Sequence, residues 1–260
     1  MQEDQTDRVV QLTEEVPVID EADICVLGGS CTGVFAAVRA ARLGARVILV
    51  EKMNHFGGVA AITCTWHNLL DTVFDRQIIA GLTEEVVERL KSRDAVNCIP
   101  NRSAKGYEFR PGELKVVLDE LVVENRIRPM LHTLFSRPLV EDGRLTGVVV
   151  DGKSGRGIVR AKIFVDATGD GDLCARLGVT SYQYDAPQPP TTCAFLGGCD
   201  AAPTALIGQD MVQHGRDYNL EPGFVWGSML PGGDTFMLAG TRVRGVDCAN
   251  AADLTHAEIE

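Results

Sequence analysis

Apolar residues between positions 23 and 50 follow a strand pattern, then a helical pattern, then a strand pattern again. Residues 24–27 are apolar behind Asp23, and residues 47–50 form a second apolar run. Between them, apolar side chains recur at helical spacing, at Val34, Ala37, Val38 and Ala41. Gly44 follows as a typical helix end. A helix between two strands is a βαβ unit, which predicts a parallel sheet.

The second half of this pattern predicts another helix and then an antiparallel meander. Pro111 suits the first position of a helix, whose apolar stripe is Leu114, Val117, Leu118, Leu121 and Val122. From Ile127 the period changes to two, which predicts strands at about 130–135, 145–150 and 158–165. Turn-forming residues separate them at 141–143 and 151–155. The last strand leads into residues 166–172, a segment of small and acidic residues.

Two further segments carry expectations about the ends of the chain. The apolar residues Val16–Ile19 predict a short edge strand. Thr255 and Glu258 have the spacing of a capping box, which predicts a helix that begins at Thr255. Because such a helix would stop within its first turn at Glu260, we interpret the chain as a fragment or shortened form of a longer protein.

Composition and charge narrow the class of protein. The chain has 260 residues, of which 45% are hydrophobic and 23% charged, which is ordinary for a globular protein. Its net charge of −11 disfavours nucleic acid and anionic membranes as partners. The eight cysteines contain no C-x-x-C pair, so we predict reduced thiols and no metal site. The acidic N-terminus does not resemble a signal peptide, and we predict a cytoplasmic location.

The turn after the first strand carries the main chemical signal. Gly28-x-Ser30-x-x-Gly33 resembles the dinucleotide-binding pattern G-x-G-x-x-G, with Ser30 in place of the middle glycine. The helix that opens here would direct its free N–H groups at a diphosphate. Glu51 ends the second strand about 20 residues on, where a carboxylate accepts hydrogen bonds from a ribose. Gly57, Gly58 and the segment Ala167-Thr168-Gly169 favour FAD over NAD.

Longer runs extend this signal to a family. The runs DICVLGGSCTGVFAAVRAARLGARVILVEK, FGG, RQIIAGLTEEVVERL, IFVDATGDGDL and PPTT resemble FAD-dependent oxidoreductases of the glutathione-reductase-like class, over roughly residues 20–250. The nearest group is the one around the heterodisulfide reductase flavoprotein subunit. Some relatives are assigned iron–sulfur clusters, but this chain lacks the closely spaced cysteines that such clusters need.

The resemblance implies a fold and a division of the chain. It implies a three-layer α/β fold, with a Rossmann-like parallel sheet for FAD or NAD(P), a β-meander and a partial second α+β domain. Residues 1–21 would be an N-terminal lead segment that precedes the first domain. Residues 22–180 would form the FAD-binding domain, with a mainly helical insertion at about 57–126. Residues 181–260 would begin an incomplete substrate-side domain.

The resemblance also implies a set of FAD-binding residues. These are Gly28, Ser30, Gly33, Glu51, Lys52, Gly57, Gly58, Ala167, Thr168 and Gly169. The neighbouring Gly29, Cys31, Thr32 and Asp170 complete our predicted cofactor site. Catalytic residues stay unknown, with His55, His67 and Cys64 as weak candidates that a structural role explains equally well.

The predicted function is that of an FAD-dependent oxidoreductase. It would pass electrons or hydride between an unidentified small-molecule substrate and a second acceptor, with the flavin carrying the chemistry. Homo-oligomer formation is compatible with the sequence. Two alternatives stay open: an NAD(P)-dependent dehydrogenase, and a truncated dinucleotide-binding module without turnover.

Overall fold

A computed structural model describes residues 10–67, 69–71, 76–99, 106–180, 182, 187–218, 220 and 225–260. The strands are β1 (Val18–Leu27), β2 (Val47–Val50), β3 (Thr65–Trp66), β4 (Leu70–Asp71), β5 (Arg76–Gln77), β6 (Val96–Cys98), β7 (Tyr107–Phe109), β8 (Arg128–Met130), β9 (Leu134–Glu141), β10 (Arg144–Gly152), β11 (Gly155–Asp166), β12 (Cys193–Gly197), β13 (Trp226–Met229) and β14 (Thr235–Ala239). The helices are α1 (Cys31–Arg42), α2 (Ala60–Thr63), α3 (Leu82–Lys91), α4 (Pro111–Glu124), α5 (Asp172–Arg176), α6 (Thr204–His214) and α7 (Ala251–Ile259).

The main sheet has six strands in the order β8-β2-β1-β11-β10-β9. Strand β1 runs parallel to β2 on one side and to β11 on the other, and β2 runs parallel to β8. Strands β9, β10 and β11 form an antiparallel meander. The fold is therefore α/β, with a mixed sheet, as the sequence predicted.

Alternate residues of β1 and β2 enter two different cores because successive side chains of a strand point to opposite faces. On one face, Val26 and Leu49 pack with the apolar sides of α1, α3 and α4. On the other face, Leu27 and Ile48 pack with Phe135 and with residues of β10 and α5. Burial of both faces explains why β2 is an uninterrupted apolar run.

The segment between Gly57 and Arg126 contains α2, α3 and α4 together with the short strands β3–β7. Helix α4 packs against α1 and α3 and leads into β8 at the edge of the main sheet. The C-terminal part of the described chain contains a second sheet in the order β12-β14-β13. It joins the first part where Arg110 Nε donates to Pro231 O at 2.6 Å.

Three expectations about local structure are wrong. The first meander strand is not at about 130–135, because Arg128–Met130 forms β8 beside β2 and the meander begins with β9 at Leu134–Glu141. Val16–Ile19 is not a separate edge strand: β1 begins at Val18 and continues to Leu27 between β2 and β11. The last helix does not begin at Thr255. It begins after Asn250, whose side chain accepts from the N–H groups of Ala252 and Asp253, and the Thr255 hydroxyl donates to Ala251 O inside the helix.

Within the described part of the chain, no helix has both the length and the apolar character needed to cross a membrane.

Candidate functional site

The turn between β1 and α1 has no room for side chains at its outer glycines. Gly28 has a φ of +97°, and a Cβ there would overlap the carbonyl of Ala167 at the end of β11. A Cβ on Gly33 would overlap the carbonyl of Gly28. These positions therefore need glycine, because the turn, α1 and the end of β11 approach at backbone distance.

Ser30 stands where the familiar pattern has its middle glycine. It is the N-cap of α1, with an extended backbone (φ −63°, ψ 174°) and no side-chain hydrogen bond to the first turn. Ser30 and Cys31 are half-buried and Thr32 is exposed, so the N-terminus of α1 is accessible from solvent. The first N–H groups of a helix have no partner within the helix, and they favour an anion.

Glu51 is buried directly beside this turn, with 7% of its surface exposed. Its Oε2 accepts from the N–H of Gly29 at 2.6 Å, and its Oε1 accepts from the N–H of Met53 at 2.6 Å. An ionised carboxylate has about four acceptor positions. Two of them are used by the backbone, and two stay available to a ligand with hydroxyl groups.

The loop at residues 56–58 closes against the same turn. Gly57 N–H donates to Gly29 O at 2.9 Å, and Gly57 pairs with Ser30 in an isolated parallel bridge. Phe56 is buried beneath Gly29, and a Cβ on Gly58 would lie 2.8 Å from the Ser30 Cβ. Lys52 is exposed on the way from Glu51 to this loop. The two glycine segments thus form one continuous backbone surface.

The end of β11 forms the third side of the site. Ala167 N–H donates to Leu27 O at 2.8 Å, which fixes residues 167 and 168 beside Gly28. Gly169 and Asp170 continue the chain as exposed residues. The structure therefore brings the predicted residues of all three segments to one edge of the sheet, at the carboxyl ends of its parallel strands.

Asp166 organises this third side, and we did not predict that role from the sequence. Its carboxylate accepts from the Thr168 hydroxyl at 2.8 Å and from the Cys174 N–H at 3.0 Å. Partial burial raises the pKa of Asp166, but hydrogen bonds from Cys174 and Thr168 outweigh it and lower the pKa below its ordinary value. An aspartate two residues before a threonine was the available signal, since Asp side chains commonly bond backbone two residues on.

The cysteines near the site are poor nucleophiles. Cys64 is fully buried against Leu230, Met237 and Ala239, and burial raises the pKa of its thiol to about 12. Burial likewise raises the pKa of Cys31 to about 12. Thiolates are the reactive form, and at neutral pH both residues stay protonated. A structural role therefore explains Cys64 better than a catalytic one.

The two candidate histidines lie in different surroundings. His55 is half-buried, and its Nδ1 lies 3.0 Å from the carbonyl of Phe56. His67 Nε2 lies 3.1 Å from the Thr65 hydroxyl, and its ring meets Trp226 edge-on at 6.1 Å between centroids. The His67 ring thus contacts Trp226 of the second sheet.

A family model described as FAD dependent oxidoreductase matches residues 23–232, which contain all of the segments above. Among curated proteins, the thiamine thiazole synthase of Aeropyrum pernix is 26% identical over 168 residues. The aligned part covers 60% of this chain and 57% of that protein. The subgroup near the heterodisulfide reductase flavoprotein subunit stays a prediction.

Solved structures are similar in fold. The p-nitrophenol 4-monooxygenase of Pseudomonas putida aligns with a TM-score of 0.58 at 10% identity, covering 91% of this chain and 61% of that one. A geranylgeranyl bacteriochlorophyll reductase-like protein of Thermoplasma acidophilum aligns with a TM-score of 0.55 at 14% identity, covering 92% and 60%. At these identities the similarity shows the fold alone. The chain spans about three-fifths of the length of each of these proteins.

Proposed function

The chain belongs to the FAD-dependent oxidoreductase family, and on that premise we propose that the turn at residues 28–33 binds the diphosphate of FAD. Glu51 would hold the adenosine ribose. Residues 57–58 and 167–170 would complete the backbone surface around the cofactor. Lys52 is exposed beside it and would contribute positive charge.

The buried carboxylate of Glu51 carries this proposal. Its position beside the glycine turn supports a ligand with neighbouring hydroxyl groups, because two acceptor positions remain after Gly29 and Met53 are bonded. A carboxylate there also repels a phosphate on the ribose. The arrangement therefore favours an unphosphorylated adenosine, as in FAD, over NADP.

The N-terminus of α1 supports the placement of the diphosphate. Ser30 makes no capping bond of its own, so its hydroxyl and the first N–H groups of α1 are available to phosphate oxygens. The missing Cβ at Gly28 and Gly33 lets the chain fold this closely at the turn. The Cβ of Ser30 leaves less room for a phosphate than a glycine would, but its hydroxyl adds a hydrogen-bond donor.

We propose that the whole protein is an oxidoreductase that moves electrons between a small-molecule substrate and a second acceptor. FAD, when bound, supplies the capacity to accept and release an electron pair. The residues of this chain would bind and orient it. The Aeropyrum pernix relative is named a synthase, and the structural neighbours are named a monooxygenase and a reductase-like protein, so relatives of similar fold carry different names for their reactions.

The placement of the diphosphate is tested by comparing a charged and a neutral substitution at Thr32, an exposed position of the turn. Thr32 lies in the first turn of α1, where an acidic residue is favourable to the helix itself. Thr32→Glu should therefore fold as well as wild type but bind FAD at least tenfold more weakly, because its charge repels the diphosphate. Thr32→Gln is the matched neutral control and should keep most of the affinity.

Binding is measured by titrating apoprotein with FAD, FMN and NAD, following flavin fluorescence or heat. We expect FAD to bind much more tightly than FMN or NAD. Equal binding of FAD by both Thr32 variants would contradict the placement of the diphosphate. Preference for NAD would favour a nicotinamide-dependent dehydrogenase. Reoxidation of the dithionite-reduced holoprotein by candidate acceptors then tests electron transfer.

A further inference from the structure

The turn between β13 and β14 is held against the first part of the chain by Arg110. This residue precedes α4, and its Nε donates to Pro231 O at 2.6 Å. Gly232 has a φ of +105°, and a Cβ there would overlap the Arg110 guanidinium. The turn therefore presents its backbone to the arginine at close range, and we call this contact the Arg110 clamp.

Two residues that flank this turn pack in one cluster with Cys64. Leu230 precedes the turn and Met237 follows it on β14, and both are buried in a small apolar cluster with Cys64 and Ala239. Cys64 is fully buried and follows the glycine loop 57–58 by way of α2. The second sheet therefore covers the segment that continues from the candidate FAD site.

A polar group without a partner is buried on the same face of the second sheet. Ser228 on β13 is 3% exposed, and its hydroxyl has no hydrogen-bond partner in the described part of the chain. Ser228 pairs across the sheet with Met237, so its side chain lies on the face that covers Cys64. The buried carboxylate of Glu51 and the buried hydroxyl of Thr65, by contrast, both have partners.

These contacts make opposing contributions to the position of the second sheet. The Arg110 clamp and the apolar cluster around Cys64 stabilise the closed position. The unpaired hydroxyl of Ser228 destabilises it, because water would bond that hydroxyl if the sheet moved away. The two cores of the main sheet are built from residues 22–173. The second sheet can therefore separate while both of those cores stay intact.

We propose that the second sheet is a cover that opens over residues 64–67 and is held shut by the Arg110 clamp. Opening gives a ligand access to His67 and Trp226, whose rings meet across the same boundary at 6.1 Å between centroids. The motion belongs to the chain itself, so it does not depend on the proposed function.

The thiol of Cys64 reports the opening, because N-ethylmaleimide can reach it only when the cover has moved away. In the closed position, burial raises the pKa of this thiol to about 12, which keeps it unreactive. Cys25 is the internal control, since it is fully buried on β1 between β2 and β11 and is reached only when the main sheet unfolds. Mass spectrometry of peptic peptides follows labelling at each cysteine. We expect Cys64 to label at least about tenfold faster than Cys25, because local opening costs less free energy than global unfolding.

Two substitutions should change the labelling rate of Cys64 in opposite directions. Arg110→Met keeps a long side chain but has no donor, and it should speed labelling by about three- to tenfold. Arg110→Lys keeps a donor and should speed it less. Ser228→Ala removes the unpaired hydroxyl from the closed position and should slow labelling by a similar factor. Ser92→Ala is the matched control and should leave the rate unchanged, because the Ser92 hydroxyl is exposed and donates to Arg89 O.

Three results would overturn the proposal. The first is equal labelling of Cys25 and Cys64 in the wild type, which would mean that Cys64 is reached only by global unfolding. The second is an Arg110→Met variant that leaves the rate of Cys64 unchanged or speeds both cysteines equally. The third is a Ser228→Ala variant that labels faster at Cys64, which would mean that the hydroxyl supports the closed position. The rates are measured with and without added FAD, and the expected order and directions should hold in both, so that a failure of FAD binding leaves the outcome readable.

Discussion

Replacing Glu51 by glutamine tests the candidate FAD site at its most buried polar group. In the structure, the two carboxylate oxygens each accept a backbone N–H at 2.6 Å, from Gly29 and from Met53. A hydrogen bond to a charged group contributes about 1.5–3 kcal/mol. Glutamine keeps one acceptor and turns an amide N–H₂ toward the other donor. We therefore expect Glu51→Gln to lower the free energy of unfolding of the apoprotein by about 2–3 kcal/mol.

The same substitution should weaken FAD binding through a separate effect. If the remaining acceptor positions of Glu51 hold the ribose hydroxyls, glutamine loses charge-assisted bonds worth about 1.5–3 kcal/mol. Since about 1.4 kcal/mol is a factor of ten, we expect roughly 10- to 100-fold weaker binding. Urea unfolding without FAD measures the first effect, and calorimetric titration with FAD measures the second.

Glu141→Gln is the matched control. Glu141 is exposed on β9, and its carboxylate pairs with Arg160 at 3.0 Å far along the sheet from the turn. It should change neither stability nor FAD affinity measurably. Titration with ADP and 2′-deoxy-ADP then isolates the ribose: loss of the hydroxyl should weaken binding more in wild type than in Glu51→Gln. An equal loss in both proteins would refute the contact, leaving Glu51 a structural residue.

Three further substitutions test other parts of the structure. Gly58→Ala places a Cβ on a residue with a φ of +52°, only 2.8 Å from the Cβ of Ser30. We expect the free energy of unfolding to fall by about 1–3 kcal/mol. Adding Ser30→Gly should restore part of this stability in a double-mutant cycle measured by urea unfolding. Asp166→Asn should destabilise the protein at pH 7. Because folding lowers the pKa of Asp166, its contribution is present above the ordinary Asp pKa of about 3.9 and lost as the pH falls below it, so the stabilities of wild type and Asp166→Asn should converge in acid; a constant difference would contradict this. Asn250→Ala should destabilise α7 by about 1 kcal/mol, measured by hydrogen exchange of its amides, whereas Thr255→Ala should destabilise it clearly less. The reverse order would indicate that Thr255 is the N-cap after all.

The parts of the fold that the sequence predicts well are those governed by local rules. The β1-α1-β2 unit has a strict change of period, and its turn needs glycine for steric reasons at Gly28 and Gly33. The turns between β9 and β10 and between β10 and β11 contain glycine and other residues that favour turns. These segments also contain most of the predicted FAD-binding residues, because such sites lie where strand, turn and helix meet.

The rest depends on contacts between distant segments. The continuation of β1 through residues 18–22 needs the partner strand β11, which lies more than a hundred residues away. The second sheet pairs β12 with β14, although α6 and β13 lie between them in the sequence. Near the C-terminus, Thr255 and Glu258 have the spacing of a capping box, and this pattern competes with the signal of the true N-cap, Asn250.

The structure of the protein with FAD bound is the most direct test of the candidate site. We predict that the diphosphate lies within hydrogen-bonding distance of the N–H groups at the start of α1, and that a ribose hydroxyl lies about 2.6–3.0 Å from a Glu51 carboxylate oxygen. Binding of the adenosine elsewhere on the chain, or a Glu51 carboxylate that contacts only Gly29 and Met53 in the complex, would contradict this placement.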